Sequence, residues 1–75
     1  MQELVEYIAK SLVNDPSQVK VTQTRRGNSV TLNLRVDQED VGRVIGRSGQ
    51  VANAMRILLR VVSARQGTRV NLEIE

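Results

Sequence analysis

Apolar residues recur at helical spacing near the start of the chain, through Leu4, Val5, Ile8, Ala9, Leu12 and Val13. The pattern stops at Asn14-Asp15-Pro16, since proline disfavours helical backbone in the residue before it, so a first helix is expected to end near Val13. Tyr7, on that helix, is expected to pack against the neighbouring elements. Val19 and Val21 then alternate with polar residues, and after Arg25-Arg26-Gly27-Asn28 the alternation resumes in Val30, Leu32, Leu34 and Val36. Period-two patterning on both sides of a glycine-containing turn predicts a hairpin of two half-buried strands.

Asp37 is placed to cap a second helix, from Gln38 to about Ile45. Glu39 and Asp40 in its first turn complement the partial positive charge of a helix N-terminus. The acidic trio thus has a structural explanation that needs no metal. Beyond Gly46-Arg47-Ser48-Gly49, a third helix is predicted from about Gln50 to Ala64. Its apolar stripe reads Val51, Ala54, Met55, Leu58, Val61 and Val62, with Asn53, Arg56 and Arg60 off the stripe. Gly67 ends this helix, and Val70, Leu72 and Ile74 alternate through a third strand. The order helix, strand, strand, helix, helix, strand has short connections and no internal repeat. It predicts a single α+β domain over residues 1–75, a three-stranded sheet packed on one face by three helices.

A chain of 75 residues supports one small core, and such cores commonly rely on further support. Cysteine is absent, so disulfides and thiolate metal sites are excluded, and self-association or a bound partner becomes the expected source. Histidine is absent too, which removes the usual base, nucleophile and soft ligand near neutral pH and argues against an enzyme. No metal or cofactor is expected. No apolar run approaches a membrane span, and the N-terminus lacks a basic segment followed by a hydrophobic one, so a soluble, cytoplasmic protein is expected.

Net charge is +3, but all nine arginines fall between residues 25 and 69, where they face Asp37, Glu39 and Asp40 alone among acidic residues. Arginine's planar fork suits phosphate, so this excess points to an anionic partner as well as to a solvated face.

The glycine-rich segment from Val41 to Gly49 restricts the choice of phosphate-binding loops. Gly42 and Gly46 are separated by three residues and no lysine follows, which excludes a P-loop. The segment follows a helix, not a strand, which excludes the dinucleotide fingerprint. What remains is a two-glycine turn between helices. Taken alone, it is explained by Gly46 ending one helix and Gly49 relieving crowding before the next. Here it also opens a helix whose free N–H groups attract anions, and Arg43 and Arg47 bracket it with positive charge.

The stretch Gly42-Arg43-Val44-Ile45-Gly46-Arg47-Ser48-Gly49 resembles the signature of KH domains, in which an Ile-Gly-x-x-Gly loop joins two helices. The resemblance extends over the whole chain, because the element order matches the bacterial, or type II, KH fold, and the length is similar to that of the small free-standing KH proteins of the KhpA group. It implies a non-catalytic protein that clamps single-stranded RNA, an RNA chaperone or post-transcriptional regulator. The clamp would be Gly46, Arg47, Ser48 and Gly49, preceded by apolar residues such as Val44 and Ile45. About four nucleotides would lie against an aliphatic groove, which suits a chain whose one aromatic residue is Tyr7. The resemblance further implies a homodimer, and pairing with a larger KH-domain protein.

Around the clamp, Arg43, Ile45, Gln50, Asn53 and Arg56 are candidate RNA contacts. Arg25 and Arg26 at the hairpin tip fit either a polar turn or a second phosphate contact. Gln50 stands where the family often has a basic residue, and Ser48 leaves Arg47 the one charge inside the loop. That departure motivates a second reading, a protein-interaction adaptor with weak RNA affinity. A third is a ribosome-associated or single-stranded DNA-binding KH module.

Overall fold

The computed structural model describes residues 1–75. Helix α1 spans Gln2–Leu12, strand β1 Lys20–Arg26, strand β2 Ser29–Arg35, helix α2 Val41–Ile45, helix α3 Gln50–Gln66 and strand β3 Arg69–Ile74. Short 3-10 turns at Pro16–Gln18, Gln38–Asp40 and Arg47–Gly49 link them. The α+β architecture and the type II element order are those expected. β2 is central, antiparallel to β1 through a two-residue turn and parallel to β3. Val30, Leu32 and Leu34 alternate into the helix-covered face and are buried, because one side of the sheet is packed and the other is left to solvent.

The core gathers Val5 and Ala9 from α1, the three apolar residues of β2, Val36, Val44 from α2, Met55 and Leu59 from α3, and Leu72 from β3. No helix is long and apolar enough to cross a membrane.

Three expectations need correction. The predicted helix from Gln38 begins as a 3-10 turn, and α2 itself occupies five residues. Tyr7 does not pack against neighbours but stands 73% exposed on the outer face of α1. The buried stripe of α3 is Ala52, Met55, Leu59 and Ser63, one position away from the expected line, whereas Ala54, Leu58 and Val61 face outward. Buried Ser63 satisfies its hydroxyl by donating to the Arg60 carbonyl at 3.1 Å.

Candidate nucleic-acid interface

The loop between α2 and α3 is built by the elements before it. Asp37 accepts the Glu39 N–H at 2.9 Å and starts the turn as a side-chain cap. Asp40 does something its local sequence does not announce. It is buried, and its two carboxylate oxygens accept the backbone N–H groups of Asn14 and Asp15, each at 3.2 Å. Arg43 Nε lies 3.3 Å from the same carboxylate. A buried charge needs such partners, and in taking them Asp40 fastens the segment after α1 to the base of α2. Its role is therefore a brace between distant segments more than a match for a helix dipole.

Val44 is fully buried and fixes α2, which leaves Ile45 on the outer surface. Gly46 then turns the chain at φ 78°, ψ 173°, donating its N–H to the Gly42 carbonyl at 2.9 Å. No L side chain adopts that backbone readily, and a Cβ there would stand 2.6 Å from Val51 Cγ2 and 2.9 Å from Val51 N. Conformation and close packing both demand glycine.

Arg47 and Ser48 project from the turn into solvent. Ser48, at φ 56° and ψ 24°, is the one non-glycine residue with a positive φ. Gly49 follows at φ 76°, its N–H donating to the Gly46 carbonyl at 3.2 Å, and α3 begins at Gln50 with no side-chain cap. The result is a tight turn without bulk at either end, opening onto an uncapped helix terminus with a cation at its tip. Such a turn suits close approach by an anionic backbone.

The remaining candidates divide into two groups. Gln50 and Asn53 are exposed in the first turn of α3, with Asn53 Nδ2 3.8 Å from where a Cβ on Gly49 would be. Both adjoin the clamp. Arg43 is near it in sequence, but its guanidinium is turned to Asp40. Arg56 reaches away toward the sheet, where Nη2 donates to the Leu72 carbonyl at 3.2 Å.

Arg25 and Arg26 are not brought to the clamp. The hairpin tip joins the start of β3, where Arg69 N–H donates to the Asn28 carbonyl at 2.7 Å. That is the C-terminal end of α3, roughly 25 Å of helix from Gly49. Between the two ends lies a cleft of about 640 Å³ along α3 and β3, lined by Arg56, Arg60, Arg69, Ser63, Asn71 and Glu73 among others. Ala64, Val70 and Leu72 complete a lining of mixed polarity. Arg60 and Arg69 were not among the sequence candidates, although Arg60 falls one helical turn after Arg56, a spacing that places both on one face. Of the nine arginines, only Arg35 and Arg43 have a carboxylate within 4 Å, so the rest keep their charge available to a ligand.

A family model described as the KhpA/KhpB KH domain matches residues 2–74. A Borreliella burgdorferi protein named RNA-binding protein KhpA is 47% identical over 72 residues, covering 96% of this chain and 88% of the relative. Proteins of the same name from Clostridium perfringens and Aquifex aeolicus are 42% and 39% identical over 74 residues. Those alignments cover 99% of this chain and 99% and 94% of the relatives. No solved structure matches the chain significantly.

Proposed function

The chain belongs to the KhpA/KhpB KH-domain family, and on that footing we propose that it is a non-catalytic protein that binds single-stranded RNA through Gly46, Arg47, Ser48 and Gly49. The observation that carries this reading is the bulk-free turn held by Gly46 against Val51, with Arg47 at its tip and the uncapped start of α3 behind it. A sugar-phosphate backbone enters the turn, its phosphate facing the N–H groups and the Arg47 guanidinium. Gln50 and Asn53 flank it. The relatives' shared name supports RNA as the ligand. Residues 1–75 act as one KH domain in the cytoplasm, in an RNA chaperone or post-transcriptional role.

The test replaces the two loop residues and keeps the glycines. In the Arg47→Asp, Ser48→Asp double variant, the second aspartate tolerates the left-handed backbone of position 48, and both carboxylates suit the start of α3, so the fold should persist. RNA affinity should fall at least tenfold, about 1.4 kcal/mol, because repulsion replaces attraction at the phosphate. A folded double variant that binds RNA like the parent rules the clamp out. Matched RNA and DNA oligomers in the same titration decide between RNA and single-stranded DNA.

A second reading, a protein-binding role, is favoured by one observation. Ile57, Leu58 and Val61 form an exposed apolar face on α3, opposite to no other element of the chain. We propose that this face pairs two copies, or one copy with a larger KH-domain protein, burying surface that the small core leaves uncovered. Sedimentation equilibrium at micromolar concentration should show a dimer for the parent and a monomer for Ile57→Glu.

A further inference from the structure

The sheet carries helices on one face and nothing on the other. Because Val30, Leu32 and Leu34 point to the helices, Ser29, Thr31, Asn33 and Arg35 point away from them. Their antiparallel partners on β1 are Arg26, Thr24, Thr22 and Lys20 in that order, and directly paired residues share a face. Arg25 pairs with Val30 and belongs to the helix side, so two arginines adjacent in sequence are parted by the pleat.

The chemistry of this open surface is narrow. β1 and β2 give it cations, hydroxyls and one amide, with no carboxylate and no large apolar side chain. Ser29, Thr31 and Asn33 are half-buried, yet their side chains make no hydrogen bond within the chain, and neither do those of Thr22 and Thr24. With Thr24 and Arg26, the three line a shallow depression of about 320 Å³, bounded by Glu73 beside Asn33 on β3. Arg35 has Glu75 at 3.9 Å, whereas Lys20 and Arg26 have no carboxylate within 4 Å. Free donors and free charge are thus gathered on one flat face.

Spacing and composition together select the ligand. Lys20 and Arg26 lie six residues apart on one strand, roughly 20 Å, so no small anion meets both and the pair suits a polyanion. The face has no aromatic or large aliphatic group to stack on an unpaired base or to enter a bilayer. Double-stranded RNA asks for neither. It is read through phosphates and through the 2′-hydroxyls of its wide, shallow minor groove, which are partners for cations and for free hydroxyl and amide groups.

We propose that the open face of β1 and β2 is a second nucleic-acid surface, one that takes the backbone of double-stranded RNA. Lys20 and Arg26 meet phosphates, and Thr24, Thr31 and Asn33 meet 2′-hydroxyls between them. The clamp belongs to the helix layer on the other side of the sheet, so one molecule can hold a stem and a single strand together. The sheet surface does not depend on the clamp reading.

The experiment titrates three probes: a blunt RNA duplex of about sixteen base pairs, a DNA duplex of the same sequence, and a random-sequence pool of ten-nucleotide single-stranded RNA. The Lys20→Gln, Arg26→Gln variant should bind the RNA duplex at least tenfold more weakly at low salt. Its log–log salt slope should shrink by about 2, one for each phosphate contact removed. Its affinity for the single-stranded pool should stay within about threefold of the parent. The Arg47→Asp, Ser48→Asp variant should show the reverse, losing the pool and keeping the RNA duplex. Thr24→Val with Thr31→Val keeps the shape and suits a strand, so it should weaken the RNA duplex about threefold or more and leave the DNA duplex unchanged. A parent that does not bind the RNA duplex, or a Lys20→Gln, Arg26→Gln variant that binds it undiminished, overturns the proposal and leaves the clamp standing. Loss of duplex binding in the loop variant overturns it too, because the clamp would then hold the duplex. Equal affinity of the parent for the RNA and DNA duplexes removes the 2′-hydroxyl contacts and, with them, the assignment to RNA.

Discussion

Two glycine turns in this chain have neighbouring arginines, and they are held very differently. At the hairpin, Gly27 takes φ 55° with nothing within 4 Å of a would-be Cβ, and Arg25 and Arg26 stand in solvent. Between α2 and α3, Gly46 takes φ 78° with Val51 pressed against the same position. The first turn needs glycine for its own backbone alone. The second needs it also because another element rests on it, so the geometry of the loop is coupled to the packing of α3. Charge and glycine content alone do not distinguish a connection from a site; what the turn rests on does.

The largest effect expected from this contrast is at Gly46. Gly46→Ala adds backbone strain to a steric overlap, together about 3 to 5 kcal/mol, comparable to all that a core of this size provides. Urea unfolding followed by circular dichroism should lose its cooperative transition. A fully folded variant would mean that α3 yields easily and the turn is not fixed by Val51.

The sheet was legible in the sequence because burial on one face writes a period of two into β2, whatever the rest of the chain does. The glycine turn was legible for a similar reason, its spacing being local. α3 was harder, since it carries two neighbouring apolar stripes. The buried one contains Ala52 and Ser63, and the exposed one contains Ile57, Leu58 and Val61. Counting large apolar residues therefore favours the wrong line. Asp40 could not be read at all, because the N–H groups it accepts belong to Asn14 and Asp15, beyond any local pattern. The same holds for Arg56, whose partner is the carbonyl of Leu72.

A smaller effect is expected at the other turn. Gly27→Ala should cost about 1 to 2 kcal/mol in the same unfolding assay, from the left-handed backbone alone, and Gly27→Asn less, since asparagine tolerates that region. RNA affinity should be unchanged in both. A loss as large as that of Gly46→Ala would erase the distinction between the turns.

The smallest effect belongs to the hairpin arginines. Replacing Arg25 and Arg26 together by Gln should leave stability within about 0.5 kcal/mol and lower RNA affinity roughly two- to threefold at low salt, as distant charges are largely screened. A tenfold fall, measured on the random ten-nucleotide pool, would move the main phosphate contact from the clamp to the hairpin.

The parallel pairing of β2 with β3 has a kinetic consequence. Val30 pairs with Val70 and Leu34 with Ile74, so every rung of that ladder joins residues forty positions apart. The chain between the two strands carries α2, the glycine turn and α3, and closing it costs roughly 3 kcal/mol of chain entropy before any rung is gained. The β2–β3 ladder is therefore among the last features to form and among the first to open. A ligand that binds only the folded chain shifts it away from the opened state, and amide hydrogens of β3, far from any contact with the ligand, should exchange more slowly in its presence.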